Sequence, residues 1–122
     1  VLLPCGLFNE AYGYSFLTEV APAARAKGLA VMGMKVFGAG RVKHAQAIEP
    51  YVRFALHAPI DSMVIGCDSI AQLEQTVRIV KSQPPALPQA EARALHAEAV
   101  AITQQWDRHE YNWVEHYKQG KP

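Results

Sequence analysis

Residues 62–72 read SMVIGCDSIAQ, an apolar run that leads into the start of an amphipathic segment. The apolar run is too short for a helix, and it does not alternate apolar with polar residues. Such a run is typical of a strand buried on both faces of a parallel sheet. Ser69 and Gln72 have the spacing of a capping box, which predicts that a helix begins directly after Ser69. The stretch therefore predicts a strand followed at once by a helix, as in an α/β fold.

Two earlier apolar runs, residues 1–4 and 29–34, have the same character. The segments that separate the three runs have helical periodicity. Residues 15–27 form the first predicted helix, in which Pro22 predicts a kink or a late start. Residues 46–57 form the second, with Pro50 in its first turn. The predicted order of elements is therefore β-α-β-α-β-α.

The ends of the helices also carry sequence signals. Ser15 is the predicted N-cap of the first helix, and Gly28 is the residue that ends it. The third helix starts after Ser69 and ends before Pro84. Its apolar stripe consists of Ile70, Leu73, Val77 and Val80. A last helix starts near Gln89 and has apolar positions at Leu95, Ala99, Ile102, Trp106, Trp113 and Tyr117. It lies against the outside of the domain or serves as an exposed docking helix for a partner.

The composition excludes several classes of protein. A length of 122 residues suits about one domain, and 50% hydrophobic residues suffice for a core. Lys and Arg number 12 against 11 Asp and Glu, which gives no support for a nucleic-acid or membrane partner. No apolar run approaches the ~18–20 residues of a membrane-spanning helix. No motif specifies the compartment, although a cytoplasmic location is favoured.

Three parallel strands would leave both edges of the sheet open. The chain also begins at Val1 rather than at Met. We therefore expect that it either oligomerises or is the C-terminal portion of a larger α/β protein. A (β/α)8 barrel needs ~250 residues, and this chain would supply its last three units.

Ligands of α/β folds bind at the carboxyl ends of the strands, so the residues at these ends are the first candidates. The first end carries Cys5, Gly6 and Asn9. At the second end, Lys35 and Arg41 flank a glycine-containing loop, which suits either phosphate contact or a flexible turn with a solvated lysine. At the third end, the helix start at Ser69 suits either an anion site or an ordinary capped turn.

Cysteine and histidine residues offer little evidence for a metal site. Cys5 and Cys67 form no CxxC pair, so they indicate neither a disulfide framework nor a zinc site. Each is either a buried small apolar residue or a nucleophile. His109 and His116 lack the HExxH spacing, and we expect no metal between them.

Residues 33–40, GMKVFGAG, and residues 62–77, SMVIGCDSIAQLEQTV, resemble the C-terminal part of an aldo/keto reductase. The second segment is similar to the family's last barrel strand and the helix behind it. The resemblance covers residues 1–82. It implies an α/β fold in which residues 1–83 form the last three βα units of a (β/α)8 TIM barrel. Residues 84–122 are then a linker and a C-terminal helical extension.

The resemblance implies an oxidoreductase that binds NADP, less often NAD. Such an enzyme transfers hydride between the nicotinamide and a small carbonyl or alcohol substrate. In that frame Met34 lies against the nicotinamide, and the loop from Lys35 to Arg41 lies near the pyrophosphate. The turn after Gly66 surrounds the adenosine and its 2′-phosphate. The implied cofactor-binding residues are Met34, Lys35, Val36, Phe37, Gly38, Gly40, Arg41, Gly66, Cys67, Asp68, Ser69, Gln72, Gln75 and Thr76.

The sequence departs from the family's pattern at several positions. Thr76 stands where the family usually has Asn, Gln72 stands where other branches have Arg, and Asp68 adds a negative charge beside them. The family's catalytic Asp, Tyr, Lys and His belong to earlier strands, so no residue of this chain is assigned to catalysis. We expect the chain by itself to be inactive. The alternative is a non-catalytic nucleotide-binding or assembly module.

Overall fold

A computed structural model describes residues 1–11, 15–40 and 47–105, and three parallel strands form its sheet. The strands are β1 (Leu2–Pro4), β2 (Met32–Met34) and β3 (Ser62–Met63), in the spatial order β1-β2-β3. Leu2 pairs with Met32, which pairs in turn with Ser62. The predicted α/β architecture with a parallel sheet is confirmed, although each strand is shorter than its apolar run.

The described part of the chain also contains five α-helices. They are α1 (Leu7–Ala11), α2 (Phe16–Ala26), α3 (Glu49–Leu56), α4 (Ile70–Lys81) and α5 (Gln89–Thr103). A 3₁₀ turn at Gly38–Gly40 follows β2. Four of the helices were predicted, whereas α1 was not, because five residues are too few to establish a helical period. None of the described helices has both the length and the apolar character needed to cross a membrane.

Local capping explains where the helices begin. The Ser15 hydroxyl accepts a hydrogen bond from the Thr18 N–H at 3.0 Å, so Ser15 is the N-cap of α2 as predicted. Pro50 lies in the first turn of α3, also as predicted. The late start predicted from Pro22 is wrong, because α2 runs from Phe16 through this proline. Pro22 is exposed and has no backbone N–H to donate to the helix. The buried residues on the opposite side of α2 stabilise the helix in spite of this missing hydrogen bond.

The two faces of the sheet differ in burial. Leu3 is 3% exposed, whereas its neighbour Leu2 is 54% exposed. The covered face belongs to a core cluster that includes Leu3, Cys5 and Val31 of the sheet region, Leu17, Ala21 and Ala24 of α2, and Ala55 of α3. On the other face Leu2, Met32 and Val64 are exposed. The prediction of strands buried on both faces is therefore wrong, because α2 and α3 pack against the same side of the sheet.

A second core cluster joins α1, α3 and α5. Its members are Leu7, Phe8, Tyr51, Leu95, Ala99 and Ile102. The rings of Phe8 and Tyr51 stack with their centroids 4.7 Å apart. As far as Thr103, α5 therefore packs against the domain rather than standing free. The further predicted positions Trp106, Trp113 and Tyr117, together with His109 and His116, lie outside the described residues.

The apolar stripe predicted for α4 is not its buried side. Ile70 is 76% exposed, and the stripe residues Leu73, Val77 and Val80 are also exposed. The buried residues of α4 are Thr76 and Ile79. The helix contacts α3 through this neighbouring face, which leaves the stripe residues between 38% and 76% exposed. This surface is called the α4 stripe below.

Candidate functional site

A pocket of about 410 Å³ lies at the carboxyl ends of β2 and β3. It is lined by Met34, Lys35, Val36, Phe37, Ala39, Gly40, Val64, Ile65, Gly66, Asp68 and Gln72. Its volume falls within the range of about 300–1,000 Å³ that is common for small-molecule sites. We call it the strand-end pocket. Its position is the one at which α/β proteins bind their ligands.

The turn after β2 brings backbone to the pocket in an unusual conformation. Lys35 has a φ angle of 61° and Ala39 one of 60°, both in the left-handed region. The Gly38 N–H donates to the Lys35 carbonyl at 2.9 Å, and the Gly40 N–H donates to the Phe37 carbonyl at 3.1 Å. Left-handed residues other than glycine are strained, and they concentrate at binding and catalytic sites.

Residues at the end of β1 contact the backbone at the end of β2 and in this turn. The Cys5 N–H donates to the Met34 carbonyl at 2.9 Å. A Cβ atom on Gly6 would collide with the Lys35 carbonyl oxygen and would lie 2.9 Å from the Val36 carbonyl oxygen. The absence of a side chain at Gly6 therefore permits its backbone to approach the turn after β2 closely.

The opposite wall of the pocket comes from the segment between β3 and α4. The Val64 N–H donates to the Gly33 carbonyl at 2.8 Å, which continues the pairing of β3 with β2. At the start of α4 the Asp68 N–H donates to Gln72 Oε1 at 2.7 Å, and the Gln72 N–H donates to Ser69 Oγ at 3.2 Å. Side chains of the protein therefore satisfy one N–H of the first turn of α4, that of Gln72, and the N–H of Asp68 just before the N-cap, as the capped-turn interpretation predicts.

The polar groups of the pocket lie on different walls. Lys35 follows β2 and Asp68 follows β3, and both residues are exposed. Met34, Val64 and Ile65 provide apolar surface between them. The arrangement suits a ligand that carries an anionic group for the lysine, hydroxyl groups for the carboxylate and a flat apolar part.

The structure brings most of the predicted cofactor residues together. The strand-end pocket is lined by eight of them: Met34, Lys35, Val36, Phe37, Gly40, Gly66, Asp68 and Gln72. Gly38 is buried within the turn, and Ser69 caps α4. Gln75 is exposed on α4, and Cys67 and Thr76 line a different pocket. Arg41 lies outside the described residues.

Two lining residues were missed as candidates. Val64 and Ile65 belong to the third apolar run, and the sequence assigned them to the strand itself. Because β3 ends at Met63, these two side chains become pocket wall instead. Ala39 belongs to the glycine-containing loop at the second strand end, which was a candidate, although Ala39 was not among the implied cofactor-binding residues.

The other pocket, of about 370 Å³, lies between α3, β3 and α4. Its walls are mostly aliphatic, and they include Leu56, Ile60 and Ile65. Cys67 and Thr76 open onto this space, with Leu73 and Val80 of the α4 stripe at its border. Cys67 and Thr76 line this pocket and not the strand-end pocket, whereas Ile65 contributes to both.

The two cysteines differ in accessibility. Cys5 is completely buried, and burial raises the pKa of its thiol to about 11. A completely buried thiol with such a pKa stays protonated at neutral pH, which argues against a nucleophilic role for Cys5. Cys67 is half-buried and unpaired. The interpretation as a small core residue therefore holds for Cys5.

Comparison of the chain with protein-family models, with curated proteins and with solved structures finds no match. The aldo/keto reductase resemblance consequently stays a prediction that rests on residues 33–40 and 62–77. These two segments supply every lining residue of the strand-end pocket.

Proposed function

We propose that the chain is the cofactor-binding, C-terminal section of an aldo/keto reductase-like oxidoreductase. The observation that carries this proposal is the strand-end pocket, in which residues from the ends of β2 and β3 meet in a space of about 410 Å³. The reaction is hydride transfer between a nicotinamide nucleotide and a small carbonyl or alcohol substrate. The catalytic groups belong to earlier barrel strands.

The uneven burial of the sheet supports a place in a (β/α)8 barrel. The strands are parallel, follow chain order and have helices packed on one face. The exposed apolar residues Leu2, Met32 and Val64 lie on the other face. In a barrel wall the helices pack outside, and the inward side chains form the interior.

The residues of the strand-end pocket fit a nicotinamide nucleotide. Met34 has alternate-residue spacing with Met32, so it belongs to the open face, where a thioether packs well against a flat ring. Lys35 offers a cation for the pyrophosphate, and the left-handed turn brings the backbone close to it. When bound, the nicotinamide supplies or accepts the hydride. The chain's own residues bind and orient it.

Nucleotide binding by the purified chain is the first test. NADH and NADPH are titrated separately, and the fluorescence of the reduced nicotinamide is followed. We expect saturable binding that Lys35→Gln weakens about fivefold or more, since one charge contact with a phosphate is lost. The matched control is Lys81→Gln, because Lys81 is an exposed lysine at the far end of α4.

Two outcomes of this titration would contradict the proposal. The first is the absence of saturable binding for both nucleotides. The second is an equal effect of Lys35→Gln and Lys81→Gln, which would mean that the nucleotide does not meet the turn after β2. Circular dichroism of each variant shows whether the fold is retained. We also expect no carbonyl reduction by the chain alone, because its pocket residues include no assigned catalytic group.

The exposed apolar surfaces favour one alternative, a non-catalytic nucleotide-binding or assembly module. The α4 stripe and the open sheet face both leave apolar side chains in solvent. Size-exclusion chromatography with light scattering distinguishes the two cases. A discrete oligomer of the chain would favour the module, whereas a chain that stays folded but associates through its open sheet edges without a fixed stoichiometry would favour the barrel section.

A further inference from the structure

We propose that the strand-end pocket selects NAD(H) over NADP(H), and that Asp68 is the residue that makes the selection. This inference rests on the proposed function and deepens it. It also differs from the NADP preference that the family resemblance implies. The evidence is the balance of charge in the pocket and the way in which the start of α4 is capped.

The charges of the described lining residues cancel. Lys35 is the only cation among them, and Asp68 is the only anion. A nicotinamide dinucleotide already needs that cation for its pyrophosphate. The 2′-phosphate of NADP(H) adds a charge of about −1.5 to −2 at neutral pH. No second cation of the described lining meets this charge.

Contacts within the protein occupy part of the start of α4. A helix N-terminus attracts anions because its first N–H groups are free. Here the Asp68 N–H already donates to Gln72 Oε1 at 2.7 Å, and the Gln72 N–H donates to Ser69 Oγ at 3.2 Å. A phosphate that approached the other N–H groups of this helix start would stand beside the Asp68 carboxylate, and repulsion between the two anions would oppose its binding.

Unlike a phosphate, a ribose hydroxyl can form a favourable hydrogen bond with the Asp68 carboxylate. The 2′-hydroxyl of NAD(H) is a donor, and an ionised carboxylate is an acceptor for it. Asp68 therefore attracts the group that distinguishes NAD(H) and repels the group that distinguishes NADP(H). Since Lys35 and Asp68 follow neighbouring strands and line the same pocket, we expect a nucleotide whose pyrophosphate meets the lysine to place a ribose at the carboxylate wall.

The test compares the dissociation constants of NADH and NADPH by fluorescence titration of the chain and two variants. We expect NADH to bind at least about tenfold more tightly, a modest value for like charges at close range. Asp68→Asn removes the repulsion, so it should strengthen NADPH binding and reduce the ratio several-fold. Glu74→Gln is the control, because Glu74 is an exposed carboxylate of α4 outside the pocket.

The possible failures are distinguishable. If NADPH binds as tightly as NADH or more tightly, the inference is overturned while the proposed function stands. If NADH is preferred but Asp68→Asn leaves the ratio unchanged, Asp68 is not the selecting residue and the inference is wrong. If neither nucleotide binds, the proposed function fails and the inference fails with it. Higher ionic strength should also reduce the ratio for the unmodified chain, since salt screens exposed charges.

Discussion

The Asp61 carboxylate accepts a hydrogen bond from the Val31 N–H at 2.7 Å, while the Asp61 N–H donates to the Val31 carbonyl at 2.8 Å. Arg25 of α2 donates to the other carboxylate oxygen at 3.1 Å and to the Pro59 carbonyl at 3.1 Å. These contacts join the starts of β2 and β3 to α2. They lie at the amino ends of the strands, opposite the strand-end pocket, so stability and ligand binding occupy different ends of the sheet.

Replacing Asp61 should therefore reduce stability without altering nucleotide binding. Asp61→Ala leaves the Val31 N–H without its side-chain acceptor and Arg25 without its ion pair. We expect a lower thermal midpoint and unchanged dissociation constants for the nucleotides. Glu74→Ala, at an exposed carboxylate of α4, should leave the midpoint unchanged. A parallel loss of binding would show that the two ends of the sheet are coupled.

The environment of Asp61 also predicts how the free energy of unfolding changes at acidic pH. The hydrogen bond from Val31, followed by the contacts of Arg25, lowers the pKa of Asp61 in the folded chain. Its contribution is therefore complete above the unfolded pKa of about 3.9 and is lost as the pH falls through the folded value. Between about pH 5 and pH 2, unfolding by urea should show a steeper loss of stability for the unmodified chain than for Asp61→Asn. Parallel curves would contradict the assignment.

Gly6→Ala should disturb the turn after β2. The new Cβ would meet backbone carbonyls of Lys35 and Val36, which cannot rotate away as a flexible side chain can. We expect a loss of about 1–3 kcal/mol in the free energy of unfolding, together with weaker nucleotide binding. The stability control is Gly66→Ala, because nothing lies within 4 Å of a Cβ at Gly66. Equal stability of the two variants in urea titrations would contradict the close approach at Gly6.

The two cysteines should differ in their reaction with iodoacetamide at pH 8. Cys5 is completely buried, and its pKa of about 11 keeps it protonated, whereas Cys67 is half-buried at the border of the aliphatic pocket. Mass spectrometry of the native chain should find Cys67 alkylated well before Cys5. In denaturant the two rates should approach each other. Comparable rates in the native chain would mean that Cys5 is accessible through opening of the core.

Two isoleucines of α4, one buried and one in the α4 stripe, should contribute differently to stability. Ile79 is 8% exposed and Ile70 is 76% exposed. Ile79→Ala should cost about 2 kcal/mol or more, since buried Ile→Ala substitutions leave a cavity. Ile70→Ala should change the free energy of unfolding by about 0.5 kcal/mol or less. Similar losses for both variants in urea titrations would show that another surface covers Ile70 in solution.

The sequence predicted the elements whose causes are local. Ser15 and Ser69 cap helices through contacts with residues only three positions away, so the starts of α2 and α4 were predictable. The parallel order of strands followed from apolar runs separated by helices. The short helix α1 was missed because Leu7 and Phe8 are buried by packing against α3 and α5, which no local pattern records.

The sequence by itself determined the α/β architecture, the helix caps and most residues of the strand-end pocket, because periodicity, capping and strand ends depend on neighbours along the chain. Only the tertiary structure decided which apolar faces are covered. Thr76 and Ile79 of α4 are buried, whereas the stripe that begins at Ile70 is exposed. Cys67 lines the pocket between α3, β3 and α4 rather than the strand-end pocket. The physical reason is that burial depends on which elements pack against a face, and those elements lie far apart in the chain.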